Sequence, residues 1–332
     1  MGRRTKADQP TRLVPTATAS PTPGNAGSGA PDDWTVPLGT TQSLPALAVT
    51  DLDAFDARIG GRYTVLSALG TGATSTVFRV RDEDGGGEWA LKLLDADRGM
   101  EVERFRREQQ LLRTLKHPNL IAVVDSGEWA GRQFMVMPLL TEGTLLEWLR
   151  EHGRGGMDYR QVCALFRGAA LGLHAAHEAG VVHRDVKPGN LARVTDDDGA
   201  PSLLVLDFGI AKSMNRTATL TDAGMVMGTP SYVCVERLFS GAKATPSWDV
   251  YSLGVVMYEM LTGRPLFRRP TWAETMNAIR RHTPPFVSSW RDDAPPALDW
   301  LVAEMLAKEP HMRPSGCDVV ARRLERIAGE LA

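Results

Sequence analysis

Apolar and polar residues change rhythm along this chain. Over residues 1–60 neither a strand-like nor a helix-like period is sustained. From Tyr63 to Leu69 and from Thr76 to Arg81 the sequence reads as two strands flanking a glycine-bearing turn. Asp82-Glu83-Asp84-Gly85-Gly86-Gly87 reads as a further turn, and Glu88 to Leu94 as a third strand. Glu101 to Leu115 predicts a charged amphipathic helix with Phe105, Leu111, Leu112 and Leu115 roughly on one face. Phe134 to Leu140 is apolar enough for a buried strand. After Gly143 helices dominate. Val162, Phe166, Ala169, Leu173 and Ala176 recur at intervals of 4, 3, 4 and 3, the stripe of a long helix. Leu191 to Val194 and Leu203 to Leu206 flank Asp196-Asp197-Asp198-Gly199, which predicts a hairpin. Val250 to Thr262 is nearly all apolar and predicts a helix buried on all sides, with Asp299–Leu306 and Cys317–Ile327 closing a helical region.

Composition narrows the class. The chain has 332 residues, of which 43% are hydrophobic, so a sizeable core is affordable. Net charge is −2 with both signs abundant, which gives no reason to expect a nucleic-acid partner or a membrane surface. The cysteines Cys163, Cys234 and Cys317 are scattered and lack metal-ligand spacing, which fits a reducing, cytoplasmic location. No apolar stretch approaches the ~18 residues a membrane-spanning helix needs, and Met1 is not followed by the apolar core of a signal peptide. Residues 1–60 hold 7 of the 21 prolines and 12 Ser or Thr, a composition that cannot bury enough apolar surface to offset chain entropy. They read as a disordered, Pro/Ser/Thr-rich leader: first a solvated tail, second a regulatory segment bearing phosphoacceptors. The more apolar stretch from Leu44 to Phe55 could dock on the folded part.

Three motifs carry chemistry. Gly70-Thr71-Gly72-Ala73-Thr74-Ser75-Thr76-Val77 precedes Ala90-Leu91-Lys92; His183-Arg184-Asp185-Val186-Lys187-Pro188-Gly189-Asn190 follows; Asp207-Phe208-Gly209 comes last. In this order they supply a phosphate cover, a clamp, a base and two metal ligands, the parts for moving a phosphoryl group from ATP to a hydroxyl. The glycine loop lies between two strands, not between a strand and a helix, which argues against a dinucleotide fold. On these residues the chain resembles the protein kinase family, from about Arg62 to about Ile327. Asp185-x-Lys187-Pro188-x-Asn190 is similar to the serine/threonine form, and the catalytic motif and compact segments most resemble the eukaryotic-like kinases of bacteria.

The resemblance implies an α+β fold of two lobes: a small β-rich N-lobe with one helix (about 61–138) and a larger α-helical C-lobe (about 142–328). It implies that Asp185 orients the substrate hydroxyl and accepts its proton, and that Lys187 brings positive charge to the γ-phosphate. Asn190 and Asp207 would offer hard oxygen ligands to Mg²⁺, or to Mn²⁺ in its place. Lys92 would contact the α- and β-phosphates. A buried ammonium needs a counter-charge, and the following helix offers Glu103 and Glu108. The match of Phe105-Arg106-Arg107-Glu108 before His117-Pro118-Asn119 selects Glu108. Gly70 and Gly72 would let the backbone approach phosphates. Val77 and Ala90 would border the adenine, with Met137 as gatekeeper, Pro138 offering its carbonyl, and Leu140 its N–H and C=O. By the same resemblance His183 is not a base but packs on Phe208, itself a core peg, and Asp249 holds the catalytic loop by backbone hydrogen bonds.

The segment Asp207–Glu236 carries Thr219 and Thr221 as the preferred activation-loop phosphosites and Thr217 as the next, with Arg184 binding the phosphate. Thr229 would bond Asp185 and Lys187 and shape the substrate cleft. Two departures stand out. Ser75 replaces the third glycine of the loop, and Cys234-Val235-Glu236 replaces Ala-Pro-Glu, although Glu236 is still expected to pair with Arg313. The expected function is therefore a cytoplasmic serine/threonine protein kinase using ATP and Mg²⁺. Its partners would be protein substrates with Ser or Thr acceptors, and a transient homodimer for autophosphorylation in trans, without a membrane span. The alternatives are a pseudokinase-like nucleotide-binding scaffold and a small-molecule phosphotransferase of the same fold.

Overall fold

Burial of every second residue organises the first half of the chain. The computed structural model describes residues 58–72, 75–94, 99–196, 198–208, 230–239 and 242–331. The predicted leader up to residue 57, and Thr217, Thr219, Thr221 and Thr229, lie outside the described residues. β1 (Arg58–Ile59), β2 (Tyr63–Thr71), β3 (Ser75–Asp82), β4 (Glu88–Leu94), β5 (Asp125–Trp129) and β6 (Arg132–Pro138) form one antiparallel sheet in the order β1-β2-β3-β4-β6-β5. Phe78, Val80, Leu91, Leu93, Phe134 and Val136 turn to one face and pack there with Ile59, Tyr63 and Val65. The alternate positions, Val77, Ala90, Lys92, Met135 and Met137, must face the other way. Met135 and Met137 join the large core that continues through the second lobe. α1 (Gly99–Thr114) is the helix of this lobe, and its Phe105 and Leu112 are buried.

Several element boundaries differ from the sequence reading by a few residues, and two of them bear on the sheet. Ile59 is wholly buried, so the folded part begins inside the predicted leader. β6 spans Arg132–Pro138 rather than Phe134–Leu140. Ala130 and Gly131, with φ of 50° and 74°, turn the chain into the strand early. Pro138 has no N–H to continue the ladder, which ends it.

The second lobe contains α2 (Leu145–His152), α3 (Tyr159–Glu178), the hairpin β7 (Leu191–Thr195) and β8 (Pro201–Val205), α4 (Val235–Phe239), α5 (Pro246–Thr262), α6 (Trp272–Arg281), α7 (Pro296–Met305) and α8 (Cys317–Glu330). α5 is the predicted all-apolar helix, and every residue from Trp248 to Thr262 is buried. Pro246 opens it, and Gly263 closes it at φ 65°, a left-handed conformation that costs glycine little. Asn119 joins the lobes. Its side-chain amide donates to Ser202 Oγ (2.8 Å) and the Leu203 carbonyl (2.9 Å), and its own carbonyl accepts from Val205 N (2.9 Å). α3 lies so close to this crossing that a β-carbon at Gly172 would stand 2.6 Å from the Asn119 carbonyl oxygen.

Candidate active site

The sheet of the first lobe and the catalytic loop of the second converge on Lys92. Its position on the inward face of β4 follows from the alternation with Leu91 and Leu93. The Lys92 ammonium lies 2.9 Å from Asp207 Oδ1 and 3.5 Å from Glu108 Oε1. Glu108, not Glu103, is thus the partner that α1 turns inward; Glu103 is exposed and lies 3.7 Å from Arg106. Burial disfavours the Lys92 charge, but Asp207 and Glu108 more than compensate and hold it above the usual lysine range. Burial likewise opposes the Asp207 charge, and attraction to Lys92 overcomes it, so this carboxyl stays below its usual range. Glu108 goes the other way. Its burial outweighs the pull of Lys92, Asp207 adds repulsion, and its pKa rises to about 7. The geometry agrees, because the shorter contact goes to Asp207 and Glu108 Oε1 has no hydrogen-bond partner.

The catalytic loop is fixed from beneath. Asp249, fully buried near the start of α5, accepts from His183 N (2.7 Å) and Arg184 N (2.8 Å), and its Oδ2 also meets His177 Nε2 at 2.8 Å. Arg184 and Asp207 take positive φ values of 70° and 43°. The third non-glycine with positive φ among the described residues is the turn residue Ala130, so this strain gathers at the site. His183 Nδ1 accepts from Asp185 N (3.1 Å), and the ring's other nitrogen, Nε2, therefore carries the proton and donates to the Leu206 carbonyl (2.7 Å). Both ring nitrogens are engaged and the ring packs on Phe208 with centroids 4.7 Å apart, which suits an orienting residue rather than a base.

Around Asp185 the polar groups interlock. Lys187 Nζ lies 3.0 Å from Asp185 Oδ2. Asn190 Nδ2 donates to the Asp185 carbonyl (2.9 Å) and to Oδ2 (3.1 Å). This fixes the amide orientation and turns the Asn190 carbonyl oxygen away from Asp185, as a metal ligand requires. Asp207, 2.9 Å from Lys92, brings a carboxylate to the same region. One amide oxygen and one carboxylate suit Mg²⁺, which takes the rest of its shell from water and phosphate. Among the described residues no group of three or more His, Cys, Asp or Glu could hold a metal alone, consistent with an ion that enters with a nucleotide. The residues present therefore fit a metal–nucleotide complex.

Several of the remaining predicted contacts are neighbours of Lys92 on the sheet. Ala90 pairs across the sheet with Met137, Trp89 with Pro138, and Val77 with Lys92. Leu140 follows at the edge of the core. A β-carbon at Gly70 would meet nothing within 4 Å, so internal crowding does not explain that glycine, which sits at a register shift between β2 and β3. Gly72 N donates to Ser75 O (2.8 Å), which closes the turn without a third glycine. Arg184 lies between Asp249 and Arg237; burial lowers its pKa and Arg237 adds to the effect, while Asp249 opposes it. Its buried Nε has no partner among the described residues. Arg313 forms the expected fork with Glu236, NH1–Oε1 2.7 Å and NH2–Oε2 3.0 Å, and the change from proline to Val235 leaves that pair intact. Burial pushes the Cys234 thiol up to about 12, which makes it inert. His177 and the Leu206 carbonyl were not anticipated as supports, since nothing in the spacing of 177 and 249 announces their meeting.

A two-lobed fold with a clamped lysine, a carboxylate held beside a second lysine, and an amide and a carboxylate of the type that suits a metal ion is the arrangement of a nucleotide-dependent phosphotransferase. A sequence profile of the protein kinase domain matches residues 63–324, and the chain belongs to the protein kinase family. It is 38% identical over 279 residues to the serine/threonine-protein kinase PknL of Mycobacterium bovis, covering 83% of this chain and 68% of that protein. It is 35% identical over 264 residues to the serine/threonine-protein kinase PknA of Mycobacterium tuberculosis, covering 77% of this chain and 58% of PknA. The crystal structure of the Mycobacterium tuberculosis PknI kinase domain superposes with a TM-score of 0.64 at 28% identity, covering 83% of this chain and 99% of that domain.

Proposed function

We propose that this chain is a serine/threonine protein kinase that works through the residues assembled around Lys92 and Asp185. The observation that carries the reading is the Lys92 ammonium held between Glu108 and Asp207, opposite a catalytic loop anchored on Asp249. Kinship with named serine/threonine kinases supports the choice of acceptor. Mg-ATP, once bound, supplies the γ-phosphoryl group and metal charge to stabilise its transfer. Asn190 and Asp207 would hold the metal ions. Lys92 leaves its carboxylate partners in part to hold phosphate oxygens, and Gly70 and Gly72 bring backbone close to them. Asp185 receives the proton of the Ser or Thr hydroxyl as it attacks, and Lys187, already beside Asp185, offsets the charge that shifts during the step. Ala90, Val77, Met137, Pro138 and Leu140 border the adenine.

Regulation by autophosphorylation at Thr219, Thr221 or Thr217, with Arg184 receiving the phosphate and two copies meeting transiently, is part of the same proposal. So is a cytoplasmic site of action, which rests on three buried cysteines that remain free. Among the described residues no helix is long and apolar enough to cross a membrane. The Glu236–Arg313 fork favours a protein substrate over a small alcohol, and the complete polar set disfavours a scaffold without turnover.

The test is autophosphorylation with labelled Mg-ATP, wild type beside Asp207→Ala, with phosphosites mapped by mass spectrometry. Label on Thr219 or Thr221 in wild type alone is expected. Replacement of both threonines by alanine should lower activity severalfold while ATP binding persists. Absence of label in wild type that still binds ATP, with no turnover of Ser or Thr peptides, would overturn the assignment.

A further inference from the structure

A shallow, open cavity of about 520 Å³ lies beside α6, lined by Arg269, Pro270, Glu274, Asn277, Ala278, Arg281 and His282. It lies away from the residues that converge on Lys92. The stretch from Arg264 to His282 contains five arginines and one histidine but a single acid, Glu274, in a chain whose net charge is −2. That one acid caps α6, accepting from Thr271 N at 3.1 Å, and its single charge offsets only one of the five arginines.

Some of the cations are engaged. Arg264 stacks on Trp290, Arg269 donates to the Leu266 and Arg268 carbonyls, and Arg280 lies over the Phe239 ring at 5.5 Å. Arg281 is exposed and has no ion-pair or hydrogen-bond partner among the described residues. The local excess of positive charge is felt by its members: Arg269 and Lys308 add to burial in holding His282 below its usual pKa. A concave surface with uncompensated cations on its wall is suited to a flexible anionic ligand.

Position says which anion. α6 packs on the turn Pro230–Tyr232, and Arg280 covers Phe239 at the end of α4. α4 also carries Arg237, which donates to the Arg184 carbonyl, so this face adjoins the catalytic loop and the cleft at Asp185. A protein held at this cavity would therefore have another part of its chain beside that cleft. We propose that the cavity beside α6 is a docking site for an acidic segment of the protein substrate, separate in sequence from the phosphoacceptor. The proposal rests on the kinase reading for its purpose, but binding at the cavity does not need turnover.

Two synthetic peptides separate the possibilities. They share one Thr acceptor, and one carries in addition a flexible linker and a run of Asp and Glu. With the full chain at low salt, the acidic arm should lower KM by about tenfold with kcat unchanged, and the gain should shrink as salt rises. Arg281→Glu should abolish the gain and leave the neutral peptide's kcat/KM untouched. Equal KM values for the two peptides in wild type would overturn the proposal, as would a gain that survives Arg281→Glu. Fluorescence anisotropy of the labelled acidic arm alone gives a reading independent of catalysis. Binding that Arg281→Glu removes, with neither peptide phosphorylated, upholds the docking site and defeats the kinase reading. Phosphorylation without binding of the arm does the reverse.

Discussion

Arg313 and Glu236 meet as a fork, and the arginine side chain is entirely excluded from solvent. Arg313 also donates to the Ala307, Ser247 and Lys308 carbonyls and lies over the Tyr251 ring, so all parts of its guanidinium are engaged. Removing it takes the guanidinium from the Glu236 carboxylate and a donor from three carbonyls at once. Arg313→Ala should lose about 3–5 kcal/mol of stability, read from urea unfolding, and Arg313→Lys should recover little because an ammonium cannot reproduce the fork. A loss below about 1 kcal/mol, the scale of an ordinary substitution, would show that the pair is dispensable.

Glu108 offers a case where function and stability part. Its carboxyl is buried, lacks a hydrogen bond at Oε1, and has a pKa raised to about 7 from 4.5. The folded state therefore holds this proton more tightly than the unfolded state, and stability is lost as pH rises from about 4.5 to about 7. Glu108→Gln removes that slope. The variant should gain stability relative to wild type across this window while its kcat falls, because Lys92 is no longer held between two charges. Parallel unfolding curves at several pH values check the first half, and peptide phosphorylation the second.

Asp249→Asn should damage the catalytic loop without touching a reacting group. An asparagine replaces one of two accepting oxygens by an NH₂, which then faces the His183 or Arg184 N–H as donor against donor. The shift of Asp185 that follows should cost on the order of 10²-fold in kcat, with KM for ATP little changed. A variant with wild-type kcat would show that the loop holds its shape by other means.

Lys308 gives the opposite pH dependence to Glu108. Its ammonium donates to the Ile279 carbonyl (2.8 Å) in the last turn of α6 and packs over the Phe267 ring. Burial, helped by Arg313, lowers its pKa to about 8 from 10.5. The unfolded state then binds the proton more tightly, so the cost of this charge is relieved as pH rises from about 8 to about 10.5. The stability difference between wild type and Lys308→Met should move in favour of wild type across that window. A difference flat in pH would sink the idea.

Chemistry was easier to read from the sequence than architecture. Lys92, Asp185, Asn190 and Asp207 could be picked out because phosphoryl transfer needs those groups in a fixed order. The family pattern chose Glu108 over Glu103 where the helical period alone left both open. β5 escaped because Asp125-Ser126-Gly127-Glu128-Trp129 has no apolar alternation; its strand character comes from pairing with β6. α2 and α6 escaped although each carries a readable start, the capping boxes Thr144–Glu147 and Thr271–Glu274. The lysine that caps α6 is 29 residues away in sequence from its carbonyl partner, a contact no local pattern encodes.

Asp249 carries one further consequence. Its carboxylate grips two catalytic-loop amides from a helix with no solvent-facing side between Trp248 and Thr262. The loop has no low-energy opening of its own, because freeing it requires disturbing the most enclosed helix of the lobe. Heating should therefore not give a folded but idle form with a frayed catalytic loop. Activity and the C-lobe should disappear together, in one cooperative step.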